Sequence, residues 1–231
     1  MLILALESSA KTVSAALVRD GERLAYYYQN CGLTHSKTLL PMINSVMDNA
    51  GIELEEVDLV AVAHGPGSFT GVRIGVSTAK GLCWALDKPA AGVSTLEAMA
   101  YNALEAGEGR IVCCAMDARR NQVYNALFEI KESVPRRLCE DRAISLEDLA
   151  SELNERGGKY VVVGDGAELC QAKLASCEID SILGFEAVRI QSAYGVALAA
   201  QRAKQGSAHD LLPTYLRLSQ AERERQTREK S

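Results

Sequence analysis

The stretch Leu2-Ile3-Leu4-Ala5-Leu6-Glu7-Ser8-Ser9, followed by Val13-Ser14-Ala15-Ala16-Leu17-Val18, decides the fold. Two apolar runs of strand length flank an acidic residue and a short polar break, which predicts two strands joined by a tight connection. The same order returns from Ile111 to Ile130, where one apolar run ends at Asp117 and a turn leads into the next. This repeated pattern indicates a weak internal duplication and favours two α/β lobes over one sheet.

The composition is that of a compact protein with a sizeable core. The chain has 231 residues, of which 48% are hydrophobic and 24% charged, and its formal net charge is −5. A negative net charge supplies no global positive field for nucleic acid. The seven cysteines have no Cys-x-x-Cys spacing, so we expect reduced core thiols. The first apolar run lacks a basic flank and stops at Glu7, so we predict no signal peptide, no membrane span and a cytoplasmic location.

The chain divides into two lobes and a tail. Residues 106–109, Ala-Gly-Glu-Gly, form the clearest linker. We therefore expect an N-terminal lobe over residues 1–105 and a C-terminal lobe over residues 110–217, whose last helix could pack back on the first lobe. Residues 218–231 alternate in charge, and we expect them to form a solvated, mobile tail.

Two segments of the first lobe have helical periodicity. The first runs from His35 to Asn49 and places these apolar residues at helical spacing: Leu39, Leu40, Ile43, Val46 and Met47. Pro41 lies inside this segment, and since proline costs about 3 kcal/mol in a helix interior, we expect the regular helix to begin near Pro41. The second helix follows a glycine-rich loop and has one face of small and apolar residues, which include Val72, Gly75, Val76, Ala79, Leu82 and Cys83.

The most informative segment is Gly65-Pro66-Gly67-Ser68-Phe69-Thr70-Gly71-Val72-Arg73-Ile74-Gly75. A strand that feeds such a turn and then a helix exposes backbone N–H groups at a positive helix end, where an anion could bind. The spacing matches neither the P-loop nor the dinucleotide-binding motif. A structural turn with tight helix packing and an anion site therefore both remain open, and the spacing favours the turn.

Two carboxylates follow apolar strands at equivalent places in the two lobes. Glu7 and Asp117 could face each other across an interlobe cleft and position a metal–nucleotide complex, or they could serve as turn residues. Gly164 and Gly166 bracket Asp165 after a later strand, where they could adjoin a nucleotide base or form an ordinary turn. In each case the turn is the favoured interpretation.

Local spacing supports neither a metal site nor a nucleophile. The three histidines, at positions 35, 64 and 209, have no His or Cys partner three or four residues away, so we predict no metal. Several serines and Cys31 could be nucleophiles, but no Gly-x-Ser-x-Gly elbow or activating histidine pattern accompanies them.

A resemblance to a known family runs in order from Leu4 to Arg217. The segments that carry it are Leu4-Ala5-Leu6-Glu7-Ser8-Ser9, His35-Ser36, Leu39-Leu40-Pro41, the glycine-rich run 65–75, Gly92-Val93-Ser94-Thr95-Leu96, Met116-Asp117-Ala118-Arg119 and Pro213-Thr214-Tyr215-Leu216-Arg217. In these segments the chain resembles the TsaB (YeaZ) family. The glycine-rich run is the most specific of them.

The resemblance implies a two-lobe actin/Hsp70-like (ASKHA) fold in which each lobe is a mixed sheet flanked by helices. It further implies a non-catalytic scaffold subunit without a cofactor of its own. Such a subunit binds and activates TsaD, the transferase that makes N6-threonylcarbamoyladenosine at position 37 of tRNA, and helps recruit the ATPase TsaE. The family forms a homodimer when TsaD is absent, meets tRNA through the complex, and could hold ATP or ADP at the complex interface.

The resemblance also assigns a partner surface to the two helices of the first lobe. Its residues are Leu39, Leu40, Ile43, Val46, Met47, Val72, Val76, Ala79 and Leu82. One departure from the family is Glu7, which stands where Asp is common. The extra methylene weakens the case for a nucleotide held there, so Glu7, Asp117, Gly164 and Gly166 would be at most a vestigial nucleotide site. The alternative function is an enzyme of the cleft, either a phosphotransferase or a protease acting on TsaD.

Overall fold

Two mixed β-sheets form the frame of the molecule, and the computed structural model describes residues 1–106 and 108–217. The first sheet consists of β1 Leu2–Glu7, β2 Val13–Arg19, β3 Glu22–Gln29, β4 Leu59–Gly65 and β5 Ala90–Ser94. Its strand order is β3-β2-β1-β4-β5. The central strand β1 pairs antiparallel with β2 and parallel with β4, so a meander lies on one side and crossover strands on the other.

The second sheet repeats this arrangement. It consists of β6 Ile111–Asp117, β7 Gln122–Lys131, β8 Val134–Arg137, β9 Arg142–Ser145, β10 Tyr160–Val163 and β11 Ser181–Leu183. Its order is β11-β10-β6-β7-β8, with β9 also paired to β7. Here β6 takes the place of β1, antiparallel to β7 and parallel to β10. The shared order confirms the repeated pattern and the prediction of two mixed sheets flanked by helices.

Seven α-helices cover the sheets in the described part of the chain. They are α1 His35–Ala50, α2 Phe69–Leu86, α3 Thr95–Asn102, α4 Leu146–Arg156, α5 Ala167–Ser176, α6 Glu186–Arg189 and α7 Ala193–Ala200. The first two lie side by side on one face of the first sheet, and α4 and α5 cover one face of the second. On the opposite faces α3 and α7 pack against each other between the two sheets.

Helix α1 begins earlier than the sequence predicts. It starts at His35 and continues through Pro41 to Ala50, so the prediction of a regular start near Pro41 is wrong. The proline is exposed, whereas Leu39 and Ile43 beside it are almost fully buried. Burial of such side chains contributes about 2 kcal/mol each, which together exceeds the cost of one interior proline.

The helices between the sheets join the two lobes. Although α3 precedes the predicted linker, its Leu96 and Met99 belong to the core of the second sheet. Helix α7, from the second half of the chain, packs on the first sheet, and Gly195 lets it approach α3 because a Cβ there would overlap the Ala98 carbonyl oxygen. Each lobe therefore contributes a helix to the other's packing.

The described residues contain no helix that combines the length and apolar character needed to span a membrane. The charged tail predicted over residues 218–231 lies outside the described residues.

Candidate functional site: the interlobe cleft and the outer helical face

The backbone between β1 and β2 packs directly against the glycine-rich loop. Ser68 donates its backbone N–H to the Ser9 carbonyl at 2.7 Å, and the Ser8 hydroxyl donates to the Gly71 carbonyl at 2.9 Å. A Cβ on Gly71 would overlap the Ser8 carbonyl oxygen, and one on Gly67 would lie 2.5 Å from the Ser9 carbonyl oxygen. The glycines therefore allow the β1–β2 connection to pack against the start of α2, which supports the structural interpretation of this motif.

The cleft between the sheets has a volume of about 460 Å³ and is lined by both lobes. Ser68, Phe69 and Thr70 line it from the start of α2. Its charged lining residues are Lys11, Arg119, Arg217, Asp117 and Asp165. Cations and carboxylates are thus mixed in one polar cavity. Sequence spacing does not predict Lys11, Asp165 and Arg217 as site residues, because only folding brings these separated segments together.

Glu7 lies beneath the floor of this cleft and does not line it. Its side chain is fully buried, and Oε1 accepts the Ser9 backbone N–H at 2.5 Å. Within the described residues Oε2 has no hydrogen-bond partner. Burial raises the pKa of Glu7 to about 7, because the buried carboxylate loses its hydration.

The other residues of the predicted vestigial nucleotide site have structural contacts of their own. Asp117 accepts the Arg119 backbone N–H at 2.7 Å, which shapes the β6–β7 turn. A Cβ on Gly164 would overlap the Ala115 carbonyl oxygen, and one on Gly166 would lie 2.7 Å from the Asp117 nitrogen. Both glycines therefore let the segment after β10 pack against the end of β6.

A metal–nucleotide complex does not fit the arrangement around Glu7. A carboxylate that coordinates a cation must reach it, and Glu7 is fully buried, with one oxygen bonded to the Ser9 backbone N–H. The two carboxylates that do line the cavity, Asp117 and Asp165, are engaged with the Arg119 backbone and with Gln191 Nε2, the latter at 2.8 Å.

The buried Glu7 predicts a pH-dependent stability. Since its pKa is about 7 in the folded chain and ordinarily 4.5, the folded state holds a proton that the unfolded state releases between these values. The free energy of unfolding should therefore fall by about 3 kcal/mol through Glu7 as the pH rises from 4.5 to 7. Glu7→Gln, which stays neutral, should remove this part of the decline in urea unfolding curves at pH 5 and pH 8.

Glu155→Gln, at an exposed position on α4, is the matched control for this measurement and should decline with pH as the wild type does. Parallel declines for the wild type and Glu7→Gln would contradict the prediction.

The partner residues predicted on α1 and α2 need correction. Seven of the nine are at most 4% exposed and belong to the core beneath these helices, namely Leu39, Ile43, Val46, Met47, Val72, Val76 and Ala79. Leu82 is half-buried, and Leu40 is 50% exposed. The seven buried residues face the chain's own sheet, so of the predicted set only Leu40 and the half-buried Leu82 could meet a partner.

Large apolar side chains do remain on the outer side of these helices. Trp84, the single tryptophan, is 87% exposed on α2, and Leu40 is the exposed leucine of α1. Trp84 follows the buried Cys83, so it lies about 100° around the helix from the sheet-facing stripe. That offset is the sequence signal that would have found it. An exposed side chain of this size is typical of an interface.

Two groups that nucleophilic chemistry could use, the Ser8 hydroxyl and the His35 ring, make other contacts. His35 Nε2 lies 2.8 Å from the Ala10 carbonyl oxygen, and the Ser8 hydroxyl donates to Gly71. Cys31 and Cys177 are exposed, contrary to the prediction of core thiols, whereas burial raises the pKa of the Cys114 thiol well above its usual value. In the described ranges no group of three or more His, Cys, Asp or Glu could hold a metal ion.

Comparison with protein families places the chain in a group of related tRNA-modification proteins. A family model described as "TsaD: tRNA N6-adenosine threonylcarbamoyltransferase" matches residues 29–222. A transferase of that name from Protochlamydia amoebophila is 33% identical, but the match covers only 45% of this chain and 35% of the transferase. The tRNA threonylcarbamoyladenosine biosynthesis protein TsaB of Bacillus subtilis is instead 31% identical over 96% of both chains. The chain belongs to the TsaB (YeaZ) family.

Other TsaB proteins and solved structures agree with this placement. TsaB of Escherichia coli is 35% identical over 72% of each chain. YeaZ from Pseudomonas aeruginosa has a TM-score of 0.77 at 26% identity, over 93% of this chain and all of that one. A second P. aeruginosa structure is described as similar to the peptidase YeaZ; its TM-score is 0.79 at 27% identity, over 94% of this chain and 99% of that one.

The two-lobe fold extends beyond TsaB. Component A of (R)-2-hydroxyglutaryl-CoA dehydratase from Acidaminococcus fermentans has a TM-score of 0.51 at 12% identity and covers 88% of this chain and 97% of its own. This likeness concerns the fold alone and agrees with the actin-like (ASKHA) architecture.

Proposed function

We propose that the chain acts in tRNA threonylcarbamoyladenosine biosynthesis as a non-catalytic subunit that binds a TsaD-type transferase. The names of the TsaB relatives support a role in this biosynthesis. The matching family model supports a relationship between this chain and the transferase. The observation that supports the non-catalytic role is the burial of Glu7. The acid that would serve a cleft enzyme is fully buried, with one oxygen bonded to the Ser9 backbone N–H and a pKa of about 7.

In the described part of the chain, the contacts of Glu7, Ser8 and His35 do not form the arrangements that the competing enzyme functions require. A phosphotransferase needs an accessible carboxylate for a metal–phosphate complex. Glu7 is not accessible, and the two carboxylates that line the cleft, Asp117 and Asp165, are bonded to the Arg119 backbone and to Gln191. A protease needs a nucleophile hydrogen-bonded to a base, but the Ser8 hydroxyl donates to Gly71 and His35 Nε2 lies against the Ala10 carbonyl. One P. aeruginosa structure is described as similar to a peptidase, and this description concerns that protein and not the present chain. A binding role accounts better for these contacts.

The proposed partner surface is the outer side of α1 and α2. Trp84 and Leu40 provide the exposed apolar anchors there, in place of the buried residues beneath them. On the family resemblance alone, we extend the proposal to activation of TsaD, recruitment of the ATPase TsaE, self-association when TsaD is absent, and tRNA contact through the complex. The chain would use no cofactor of its own, and any ATP or ADP would lie at the interface with its partners.

A double substitution in the cleft tests the non-catalytic role. Glu7→Gln with Asp117→Asn keeps the size of both side chains and allows Asp117 and Glu7 to remain hydrogen-bond acceptors for their backbone partners. Threonylcarbamoyladenosine formation, reconstituted with the transferase and its other components, should change by less than about threefold. Loss of an acid or base that takes part in catalysis typically costs about 100-fold or more.

The matched control for this experiment is Glu155→Gln, on the exposed side of α4. A double variant that remains folded and binds the transferase, yet loses about 100-fold in activity, would contradict the proposal and favour a cleft enzyme.

A further inference from the structure

A second cavity, here called the side cavity, adjoins the interlobe cleft. Its volume is about 180 Å³, and it shares Ala10, Lys11 and Asp165 with the cleft. The first lobe lines it with residues 10–12 of the β1–β2 connection, and the second half of the chain with Asp165 and residues 189–191. At about 30 Å³ per water molecule it has the space of about six waters, which suits a molecule of amino-acid size.

The wall formed by the second half of the chain is held in place by hydrogen bonds. Gly164 donates its backbone N–H to the Arg189 carbonyl at 2.6 Å. Asn102 Nδ2 of α3 donates to the carbonyls of Val188 and Ile190 at 3.1 and 3.4 Å. These bonds fix the segment between α6 and α7, so the cavity is formed in advance of any ligand.

Two buried side chains that line the side cavity have polar atoms without hydrogen-bond partners among the described residues. Gln191 is fully buried, and its Nε2 donates to Asp165 Oδ1 at 2.8 Å, whereas its Oε1 has no partner. Thr12 is 4% exposed, and its Oγ1 has no partner either. Since a buried polar atom without a hydrogen bond is unfavourable, these two atoms indicate a polar ligand.

The pair formed by Gln191 and Asp165 requires a hydrogen-bond donor on that ligand. An amide oxygen and an ionised carboxylate only accept hydrogen bonds, and the orientation of the amide is fixed because its Nε2 donates to Asp165. A carboxylate accepts several hydrogen bonds, so Asp165 can accept from a ligand beside Gln191. An ammonium group carries three N–H donors, and its place is therefore at these two residues.

The charges that line the side cavity are balanced. Arg189 Nη1 is paired with Glu168 Oε1 at 3.3 Å. Lys11 and Asp165 also line the cavity, and in the part of the chain that the structure describes neither has an ionic partner. A ligand with only a negative charge would be repelled by Asp165, and one with only a positive charge by Lys11. A ligand that carries both charges matches both residues.

We propose that the side cavity binds a small α-amino acid as its zwitterion. The ammonium group would donate to Gln191 Oε1 and Asp165, and the carboxylate would lie at Lys11 and accept from the Thr12 hydroxyl. Lys11 and Asn30 are exposed at the cavity, so the ligand can enter from solvent. The site lies within this chain and does not depend on the proposed function.

Titration of glycine and of L-threonine into the isotope-labelled full-length chain, followed by NMR, tests this site. Both should produce saturable shifts in the amide signals of Thr12, Asp165 and Gln191. Propionate and n-propylamine each carry only one of the two charges and should bind at least about 10-fold more weakly. The absence of saturable shifts with both amino acids would overturn the proposal, as would propionate, n-propylamine or sodium chloride binding as tightly as glycine.

Two substitutions test where the ligand binds. Lys11→Gln removes the charge that faces the carboxylate and should weaken glycine binding at least about 10-fold. Thr12→Val keeps the shape of the side chain and removes a hydroxyl that has no partner among the described residues. It should weaken glycine binding about threefold or more while the melting temperature stays unchanged or rises.

Lys37→Gln, at an exposed position on α1, is the matched control and should bind glycine as the wild type does. Circular dichroism melting should show that all three variants are folded. Wild-type glycine binding by a folded Lys11→Gln or Thr12→Val chain would overturn the assignment of the site. The transferase takes no part in this titration, so a negative result here leaves the proposed function standing.

Discussion

Replacing Trp84 with alanine should weaken the complex with the transferase about 30-fold or more while leaving the free chain folded. An interface tryptophan typically contributes 2 kcal/mol or more when it is buried by a partner, which corresponds to about that change in Kd. In the free chain the side chain is 87% exposed, so its removal should change the free energy of unfolding by less than about 0.5 kcal/mol. Titration calorimetry and urea unfolding measure the two effects separately.

Phe185→Ala is the matched control for the tryptophan substitution. Phe185 is 74% exposed and precedes α6 in the second lobe, away from α1 and α2. Its loss should leave Kd unchanged, because the prediction depends on the position of the aromatic side chain and not on exposed apolar area in general. Equal losses in both variants, or no loss in Trp84→Ala, would show that the outer side of α2 is not the partner surface.

Replacing Gly71 with alanine should destabilise the chain by about 3 kcal/mol or prevent its folding. The added Cβ would overlap the Ser8 carbonyl oxygen, which belongs to the connection that follows Glu7. Neither the backbone of this connection nor the start of α2 can move without losing the hydrogen bonds between Ser68 and Ser9 and between Ser8 and Gly71. Urea unfolding followed by circular dichroism measures the change.

Gly81→Ala, on the same helix, should have the opposite effect on stability. Gly81 is exposed within α2, and a Cβ at this position would have no neighbour within 4 Å. The substitution should stabilise the chain by about 0.5–1 kcal/mol, since alanine has the higher helix propensity. If Gly71→Ala were also neutral or stabilising, the glycine-rich loop would not be held by close backbone packing and an open anion site would regain support.

Much of the fold follows from local patterns in the sequence. The apolar runs around Glu7 and Asp117 predict the central strand of each sheet and its antiparallel neighbour, because strand length and polar breaks are local features. Contacts between distant parts of the chain do not follow from local patterns. In the C-terminal segment 206–217, Tyr215 accepts a hydrogen bond from Arg73, which lies 142 positions earlier. No local spacing predicts which edge of a sheet such a segment will follow.

The sequence predicts the partner surface on α1 and α2 less well than the fold, for a physical reason. An apolar stripe at helical spacing marks the side of a helix that avoids water, but it does not distinguish the chain's own sheet from a partner. Val72 and Val76 thus proved to be core residues, whereas Trp84, next to their stripe, is exposed. Likewise, Glu7 ends a strand as predicted, but its complete burial depends on contacts from distant parts of the chain.

Fluorine NMR of the chain labelled with fluorotryptophan tests the central claim most directly. The sequence contains one tryptophan, so the labelled chain reports Trp84 alone even when an unlabelled transferase is present. Addition of the transferase should shift this signal to saturation and shield it from a soluble paramagnetic quencher. A complex confirmed by light scattering in which the signal neither shifts nor becomes shielded would contradict the claim that the outer face of α2 binds the partner.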